Sequence, residues 1–366
     1  MRRPMNFNSG PATLPLAALE RARAEFLDFA GTGMSVIEHS HRGKEYEIVH
    51  DQALALVRDL LAVPSDYDVV FLQGGASMQF ALVPMNFLPP GASADYVVTG
   101  TWSEKAHAEG AAWATVAGSK VRLAATAKPE GYIRALPPAQ TSLDEAAAYV
   151  HFTSNETIDG VQYLDLPRFG RAPQVCDMSS DILSRNVDVS QYALIYAGAQ
   201  KNMGPSGVTL VVARRDFLDR GRKDLPKILQ YRAHAEARSL LNTPSTFGIY
   251  LVRNVLEWLR DQGGLAGIEE RNRAKAAELY AMMDDHAGFF RCPVEIGSRS
   301  RMNVVFRLPS EDLDRKFLDM AKKNDFVGLR GHRSVGGIRA SLYNAVDPQW
   351  VSALVSFMGE FARRNG

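Results

Sequence analysis

The chain is predicted to be an α/β protein, a sheet covered on both faces by helices. Two observations predict this. Short, nearly continuous apolar runs alternate with helical segments along the first two-thirds of the sequence, and most runs end in a glycine or polar turn. The 366 residues, 46% apolar and 23% charged, have ordinary globular composition and suffice for one large core or two domains.

An extended arm punctuated by Gly10-Pro11 and Pro15 comes first, then a helix expected from about Leu16 to Phe29. Residues 45–61 have helical periodicity, with Ile48, Ala55, Leu56 and Leu60 able to share a face. Strands are expected at 68–73, 94–99, 147–153, 174–178, 193–197 and 208–213. Pro244 is read as an early helical position of a helix that carries Leu251, Val255, Trp258 and Leu259 on one face and stops at Gly263-Gly264. An amphipathic helix at 268–285 follows. Strand 302–308, helix 312–323, strands 326–329 and 337–342 and a terminal helix 350–363 then make a compact second domain. In such sheets ligands are expected outside the strand ends, so the polar residues just after the strands matter.

Composition narrows the function. Lys plus Arg at 42 nearly balance Asp plus Glu at 41, so no overall field gathers nucleic acid or an anionic membrane. Cys176 and Cys292 are too few and too far apart for a disulfide framework or a zinc site, and no metal is expected. With no signal-peptide run at the start and no stretch of membrane-spanning length, the expectation is a soluble, unprocessed cytoplasmic protein.

The candidate chemistry starts at Lys201, at the end of Ala193-Leu-Ile-Tyr-Ala-Gly-Ala-Gln-Lys201 and shortly before another apolar strand. An amine held against such strands is partly desolvated, which disfavours its charge and suits it to forming a Schiff base with a carbonyl compound. A lone lysine there is as readily a surface residue, so its companions decide. If Lys201 anchors an aldehyde cofactor with a pyridine ring, a carboxylate must keep the ring nitrogen protonated. Asp177, ending the strand at 174–178, can do so or can cap a turn. Gly74-Gly75-Ala76-Ser77 can offer backbone N–H groups and a hydroxyl to a phosphate, or be a plain tight turn. Trp102 can stack on a flat ring or pack in the core. Thr157 can donate to a phenolate oxygen or serve its own turn. His41-Arg42, His332-Arg333 and Arg339 can bind carboxylate or phosphate, or be scattered surface charge; the glycines around 332–333 make that loop closely approachable.

Taken together, Asn8-Ser-Gly-Pro-Ala12, His39-Ser-His-Arg-Gly-Lys44, Gln73-Gly-Gly-Ala-Ser77, Asn155-Glu-Thr-Ile-Asp-Gly160 and Tyr196-Ala-Gly-Ala-Gln-Lys-Asn202 resemble the phosphoserine aminotransferase family, as do Asn242-Thr-Pro244 and Gly331 to Asn344. The resemblance runs in order from near residue 6 to the C-terminus. It implies a fold type I, class V transaminase dependent on pyridoxal 5′-phosphate: a large domain (16–258) with a mostly parallel seven-stranded sheet, a smaller α+β domain (259–366), an N-terminal arm (1–15) and a homodimer. It implies that Lys201 carries the cofactor, Asp177 pairs with the pyridinium nitrogen, Trp102 stacks on the ring and Thr157 bonds its hydroxyl oxygen. Ala76, Ser77 and Gln200 would hold the phosphate, with Asn242 and Thr243 reaching in from the other subunit. Arg339 would clamp the substrate α-carboxylate. His41, Arg42, His332 and Arg333 would receive a side-chain phosphate or the γ-carboxylate of glutamate, and Ser9 would line the same pocket.

The implied reaction passes the amino group of L-glutamate to 3-phosphohydroxypyruvate, and also to 3-hydroxy-4-phosphooxy-2-oxobutanoate. Rivals are an alanine–glyoxylate or serine–pyruvate transaminase, a cysteine desulfurase, and a non-catalytic binder of a phosphorylated metabolite. Two positions depart from the pattern. Ala76-Ser77-Met78 stands where some members carry Gly-Arg-Gly, and Asp181 stands where an uncharged residue is expected, which leaves the local charge beside Asp177 open.

Overall fold

The computed structural model describes residues 3–366. Its main sheet has seven strands: β2 (Tyr67–Leu72), β3 (Ser93–Val98), β4 (Lys120–Thr126), β5 (Val150–Thr153), β8 (Gln174–Asp177), β9 (Leu194–Gly198) and β10 (Thr209–Arg214), in the order β2-β10-β9-β8-β5-β3-β4. Strand β10 runs antiparallel to both neighbours and the other pairings are parallel. Strand β2 therefore points the same way as the parallel set, and the ends of β2, β3, β5, β8 and β9 open on one edge. A short hairpin, β6 (Asn155–Glu156) with β7 (Val161–Gln162), follows β5 at that edge.

Successive strand residues face opposite sides, and both sides are apolar. Val97, Phe152, Cys176, Ile195 and Val212 enter one core, with α2 (Lys44–Leu60) and α7 (Thr246–Asp261). Tyr96, Val98, Val175, Leu194 and Tyr196 enter the other, with α3 (Gly75–Phe87), α4 (Thr101–Ala117), α5 (Arg215–Leu218) and α6 (Tyr231–Glu236). Helix α1 (Leu16–Glu25) lies on α7.

A further core is built from α8 (Gly264–Asp285), α9 (Glu311–Lys323), α10 (Pro348–Asn365) and the strands β11 (Asn303–Phe306), β12 (Phe326–Val327) and β13 (Ile338–Ser341). Helix α8 links the two parts: Leu265 and Ile268 enter the first core, Ala276, Leu279 and Met283 this one. The arm belongs to it as well. Strand β1 (Met5–Asn6) pairs in parallel with β12, and Phe7 is buried in the same cluster.

Three expectations change. Strand β4 was not expected, because as an edge strand it keeps Lys120 and Leu123 exposed and lacks a continuous apolar run. The first helix ends at Glu25, four residues before Phe29. Pro244 precedes the next helix instead of opening it; Ser245 is the N-cap.

Candidate active site

The open strand edge gathers the candidate groups. Lys201 follows the turn after β9, and its Nζ donates to Thr157 Oγ1 at 2.7 Å. Burial is the main cause that lowers its amine to a pKa of about 8; the charge of Arg339 adds to this and that of Asp177 opposes it. The neutral, nucleophilic form is therefore more accessible near neutral pH than in an ordinary lysine. Asp177, the last residue of β8, is 4% exposed. Its Oδ1 accepts from Ser179 N at 2.9 Å and its carbonyl accepts from Ser154 N and Oγ at 3.0 and 3.1 Å. Burial raises the carboxyl's pKa while Lys201 and Ser179 pull it back.

Trp102 is the second residue of α4, with its indole 5.5 Å from Lys201 Nζ. Its Nε1 is buried without a hydrogen-bond partner. The start of α4 is fixed from outside the helix. Glu156 accepts from Trp102 N and Ser103 N at 2.9 and 3.0 Å, and Asp159 accepts from Thr101 N and Oγ1 at 2.7 and 3.2 Å. Two carboxylates at a helix N-terminus suit the helix dipole. Burial, and then the charge of Asp159, raises the pKa of Glu156, while the N–H groups of Trp102 and Ser103 oppose the rise. Gly100 makes room for them, since a Cβ there would lie 2.4 Å from Glu156 Cγ.

The turn before α3 is left-handed at Gly74 and Gly75, and no side chain caps the helix, so its first N–H groups face the open edge. Ala76 is half-buried and Ser77 exposed at this start. Gln73 Nε2 donates to the Thr243 carbonyl at 3.1 Å, which ties Asn242-Thr243 to the residue before the glycines. Gln200 is half-buried, and its carbonyl accepts from Ala12 N at 2.9 Å.

Arg339, on β13, is 7% exposed. Its Nη2 donates to Ser9 Oγ at 2.6 Å and Nη1 to the Thr157 carbonyl at 3.3 Å, while Nε is buried without a partner. Tyr343 Oη donates to the Ser9 carbonyl at 2.8 Å. The arm thereby lies on the lysine: a Cβ on Gly10 would sit 3.3 Å from Lys201 Cγ.

Beyond Arg339 a cavity of about 160 Å³ is lined by Tyr132, Asp159, Arg307, His332 and Arg339, among others. His332 is held by Ser334 Oγ at 2.7 Å, and Arg333 is exposed on the same loop. The side chains of His41 and Arg42 meet each other at 3.4 Å in the loop before α2, and Arg42 N donates to Ser40 Oγ at 3.3 Å; no hydrogen bond or ion pair joins them to Lys201 among the described residues. The single chain thus brings together Lys201, Asp177, Thr157, Trp102, Arg339 and Ser9, and leaves His41-Arg42 apart.

The sequence and fold are matched in known proteins. The family model "Aminotransferase class-V" matches residues 5–354. The chain belongs to the class-V aminotransferases. Its relatives of this class include the phosphoserine aminotransferases of Geobacillus kaustophilus, 54% identical over all of this chain and 99% of that one, and of Niallia circulans, 50% identical over 100% and 99%. Among solved structures, phosphoserine aminotransferase from Bacillus circulans subsp. alkalophilus superposes with a TM-score of 0.96 at 49% identity, covering 100% of this chain and 99% of that chain. The PLP-bound phosphoserine aminotransferase of Trichomonas vaginalis superposes with a TM-score of 0.92 at 38% identity, covering 98% and 100%.

Within this class-V site, sequence reasoning missed Glu156 and Asp159. Both stood inside the motif around Thr157, but their partners are 53 to 58 residues away and leave no local signal. The charge of Asp181 is answered by Arg185, 3.0 Å away, with both side chains under a tenth exposed. Gln162 Nε2 adds a hydrogen bond at 3.1 Å and Ser154 Oγ another. Cys176 is fully buried, which pushes its thiol far above the ordinary value and makes it a packing residue. Cys292 lies away from Lys201 beside Val294, so neither thiol supports a desulfurase.

Proposed function

We propose that the chain is a phosphoserine aminotransferase that uses pyridoxal 5′-phosphate to move the amino group of L-glutamate to 3-phosphohydroxypyruvate, giving O-phospho-L-serine and 2-oxoglutarate. The observation that carries this is a low-pKa lysine bonded to Thr157 and facing Asp177 and Trp102, in a chain about half identical to phosphoserine aminotransferases over its full length. The residues fit the cofactor. The indole N–H of Trp102 and Nε of Arg339 are buried donors in want of acceptors, and the α3 start offers uncapped N–H groups.

When bound, the cofactor supplies an aldehyde and a protonated ring that withdraws electrons. Asp177 would hold a proton on the ring nitrogen, its carboxylate favoured by the cation it faces. Trp102 would cover the ring, Thr157 would bond the ring hydroxyl oxygen, and Ala76, Ser77 and Gln200 would hold the phosphate. Lys201 carries the cofactor at rest. Once freed by substrate, its amine would serve as the general acid–base that takes up and returns the substrate Cα proton. Arg339, kept in place by Ser9, grips the α-carboxylate. His41, Arg42, His332 and Arg333 take the distal phosphate or γ-carboxylate, where adaptable cations serve both better than a shape-matched apolar slot.

We further propose a cytoplasmic homodimer with large (16–258) and small (259–366) domains and an arm (1–15). Asn242 and Thr243 of each subunit would serve the partner's phosphate. Exposed Leu27, Met34, Ile37 and Ile48 around His41-Arg42 are suited to such an interface. 3-Hydroxy-4-phosphooxy-2-oxobutanoate is proposed as a second acceptor. A coupled assay offering glutamate with phosphohydroxypyruvate, pyruvate or glyoxylate tests the reading. Phosphohydroxypyruvate should be preferred by at least about 100-fold, and a preference for pyruvate or glyoxylate would place the chain with the alanine–glyoxylate type instead.

A further inference from the structure

Directly after Lys201 stands Asn202, 5% exposed, whose side chain has no part in the proposed chemistry. Its amide reaches both sides of the site. Nδ2 donates at 3.2 Å to the carbonyl of Ser180, which lies three residues after Asp177. Oδ1 accepts at 3.1 Å from the backbone N–H of Asn344, which lies five residues after Arg339. One planar amide thus ties the segment carrying the amine to the segments carrying the carboxylate and the guanidinium.

The two anchors are held more firmly than the segment between them. Ser180 Oγ donates to the Asn155 carbonyl and accepts from Asn155 Nδ2, each at 2.7 Å. The turn after β13 is gripped by Lys275 of α8, whose buried Nζ donates to the carbonyls of Leu342 and Tyr343 at 2.8 Å and of Val346 at 3.3 Å. Asn344 Nδ2 donates to the Leu183 carbonyl at 2.9 Å, and Asn344 Oδ1 accepts from Asn272 Nδ2 at 2.8 Å. Lys201 by contrast makes a single side-chain hydrogen bond among the described residues, to Thr157. Loss of the Asn202 amide therefore leaves both anchors standing and frees the segment that carries the lysine.

We propose that Asn202 is a positioning residue: through its two backbone partners it sets where the Lys201 amine stands between Asp177 and Arg339, and so how closely that amine meets the Cα proton of a substrate gripped by Arg339. This rests on the reading of Lys201 as the cofactor's lysine and general acid–base. A reacting group misplaced by about 1 Å loses about 100-fold in rate, whereas substrate binding through Arg339 and the distal cations is untouched by such a shift.

The test compares cofactor-loaded wild type, Asn202→Ala and Asn86→Ala. Asn86 is a matched control, a 2% exposed asparagine between α3 and α6 whose Nδ2 donates to the carbonyls of Leu82 and Leu229 at 2.9 and 2.8 Å and whose Oδ1 accepts from Tyr231 N at 3.2 Å. The rate and glutamate dependence of the change in cofactor absorbance are read in a single turnover, per bound cofactor. Both variants should lower the unfolding midpoint, because each leaves buried backbone groups without partners. Asn202→Ala alone should slow the limiting rate by at least about tenfold, with the half-saturating glutamate concentration changed less than about threefold. Asn202→Asp keeps the shape and the acceptor for Asn344 but sets an oxygen against the Ser180 carbonyl, so it should show the same split and carries the test where the alanine variant does not fold. A loss no greater than that of Asn86→Ala, or one carried by weaker glutamate binding, overturns the inference while wild type still reacts with glutamate. A wild type whose cofactor absorbance glutamate does not change overturns the functional reading and this inference together.

Discussion

The turn from Asn155 to Asp159 and the loops at 40–43 and 331–337 both supply the candidate site, and they are built in opposite ways. The turn is buried and every polar side chain in it has a fixed partner. Asn155 binds Ser180 and Asn303, Glu156 and Asp159 hold α4, and Thr157 holds Lys201. The loops are largely exposed, and their cations meet each other or a single serine. On the proposed reading, reacting atoms are placed by interlocked hydrogen bonds, while the distal anion would be met by charge on less constrained chain. Substitutions in the turn should therefore act on kcat and on the cofactor's spectrum, and those in the loops on KM and substrate preference.

The largest effect expected is at the lysine that the turn holds. Lys201→Ala should lower turnover by at least about 10³-fold, as expected when nucleophile and general base are lost together. The visible absorbance of the lysine-bound cofactor should vanish too. Turnover within tenfold of wild type would remove Lys201 from the mechanism. Next comes the rim: Arg42→Ala with Arg333→Ala should raise KM for phosphohydroxypyruvate by about 100-fold, at roughly tenfold per charge-assisted contact, with a smaller rise for glutamate. An equal rise for both would dissolve the contrast between turn and loops.

How much of this could be read in the sequence follows the same division. Lys201, Asp177, Trp102 and Thr157 each stand just after or at the end of an apolar run, and the sheet carries such ends to one edge, so local pattern plus topology made them candidates while the family resemblance supplied their expected roles. Strand β4 escaped because half-exposed edge strands lack the continuous apolar run that marks the inner ones. The carboxylates of Glu156 and Asp159 escaped for a different reason. A cap supplied from another strand looks, in sequence, like any acid in a turn. Arm residues 5–7 were read as a separate segment, yet their backbone pairs with β12 more than 300 residues away, a partner that composition could not name.

Gly100 tests whether that unseen cap matters. Alanine there would place Cβ 2.4 Å from Glu156 Cγ and 2.7 Å from Asp159 Oδ2, so the carboxylates must withdraw from the start of α4. Overpacking of this kind costs about 1–3 kcal/mol. Gly100→Ala should lower the unfolding midpoint and shift the cofactor absorbance as Trp102 moves, with kcat falling about tenfold. A destabilised protein with unaltered absorbance and kcat would mean that Trp102 is held by packing on Phe80, 6.5 Å away between ring centres, and not by the cap.

The smallest expected effect lies where the two construction styles meet. Ser9 sits on the arm, outside the turn, yet its Oγ accepts from Arg339 Nη2 at 2.6 Å and its carbonyl accepts from Tyr343 Oη at 2.8 Å. Ser9→Ala removes the first bond and keeps the second, so the arm stays docked and only the guanidinium is freed. A hydrogen bond to a charged group is worth about 1.5–3 kcal/mol, but the arginine can turn to water or to the substrate carboxylate, which offsets most of the loss. The expectation is a rise in KM for glutamate of about fivefold, with kcat and the ratio of phosphorylated to unphosphorylated substrates unchanged. A change in that ratio would show that Arg339 reads the distal group as well as the α-carboxylate, and would draw the border between the rigid and the charge-only halves of the site one residue further in.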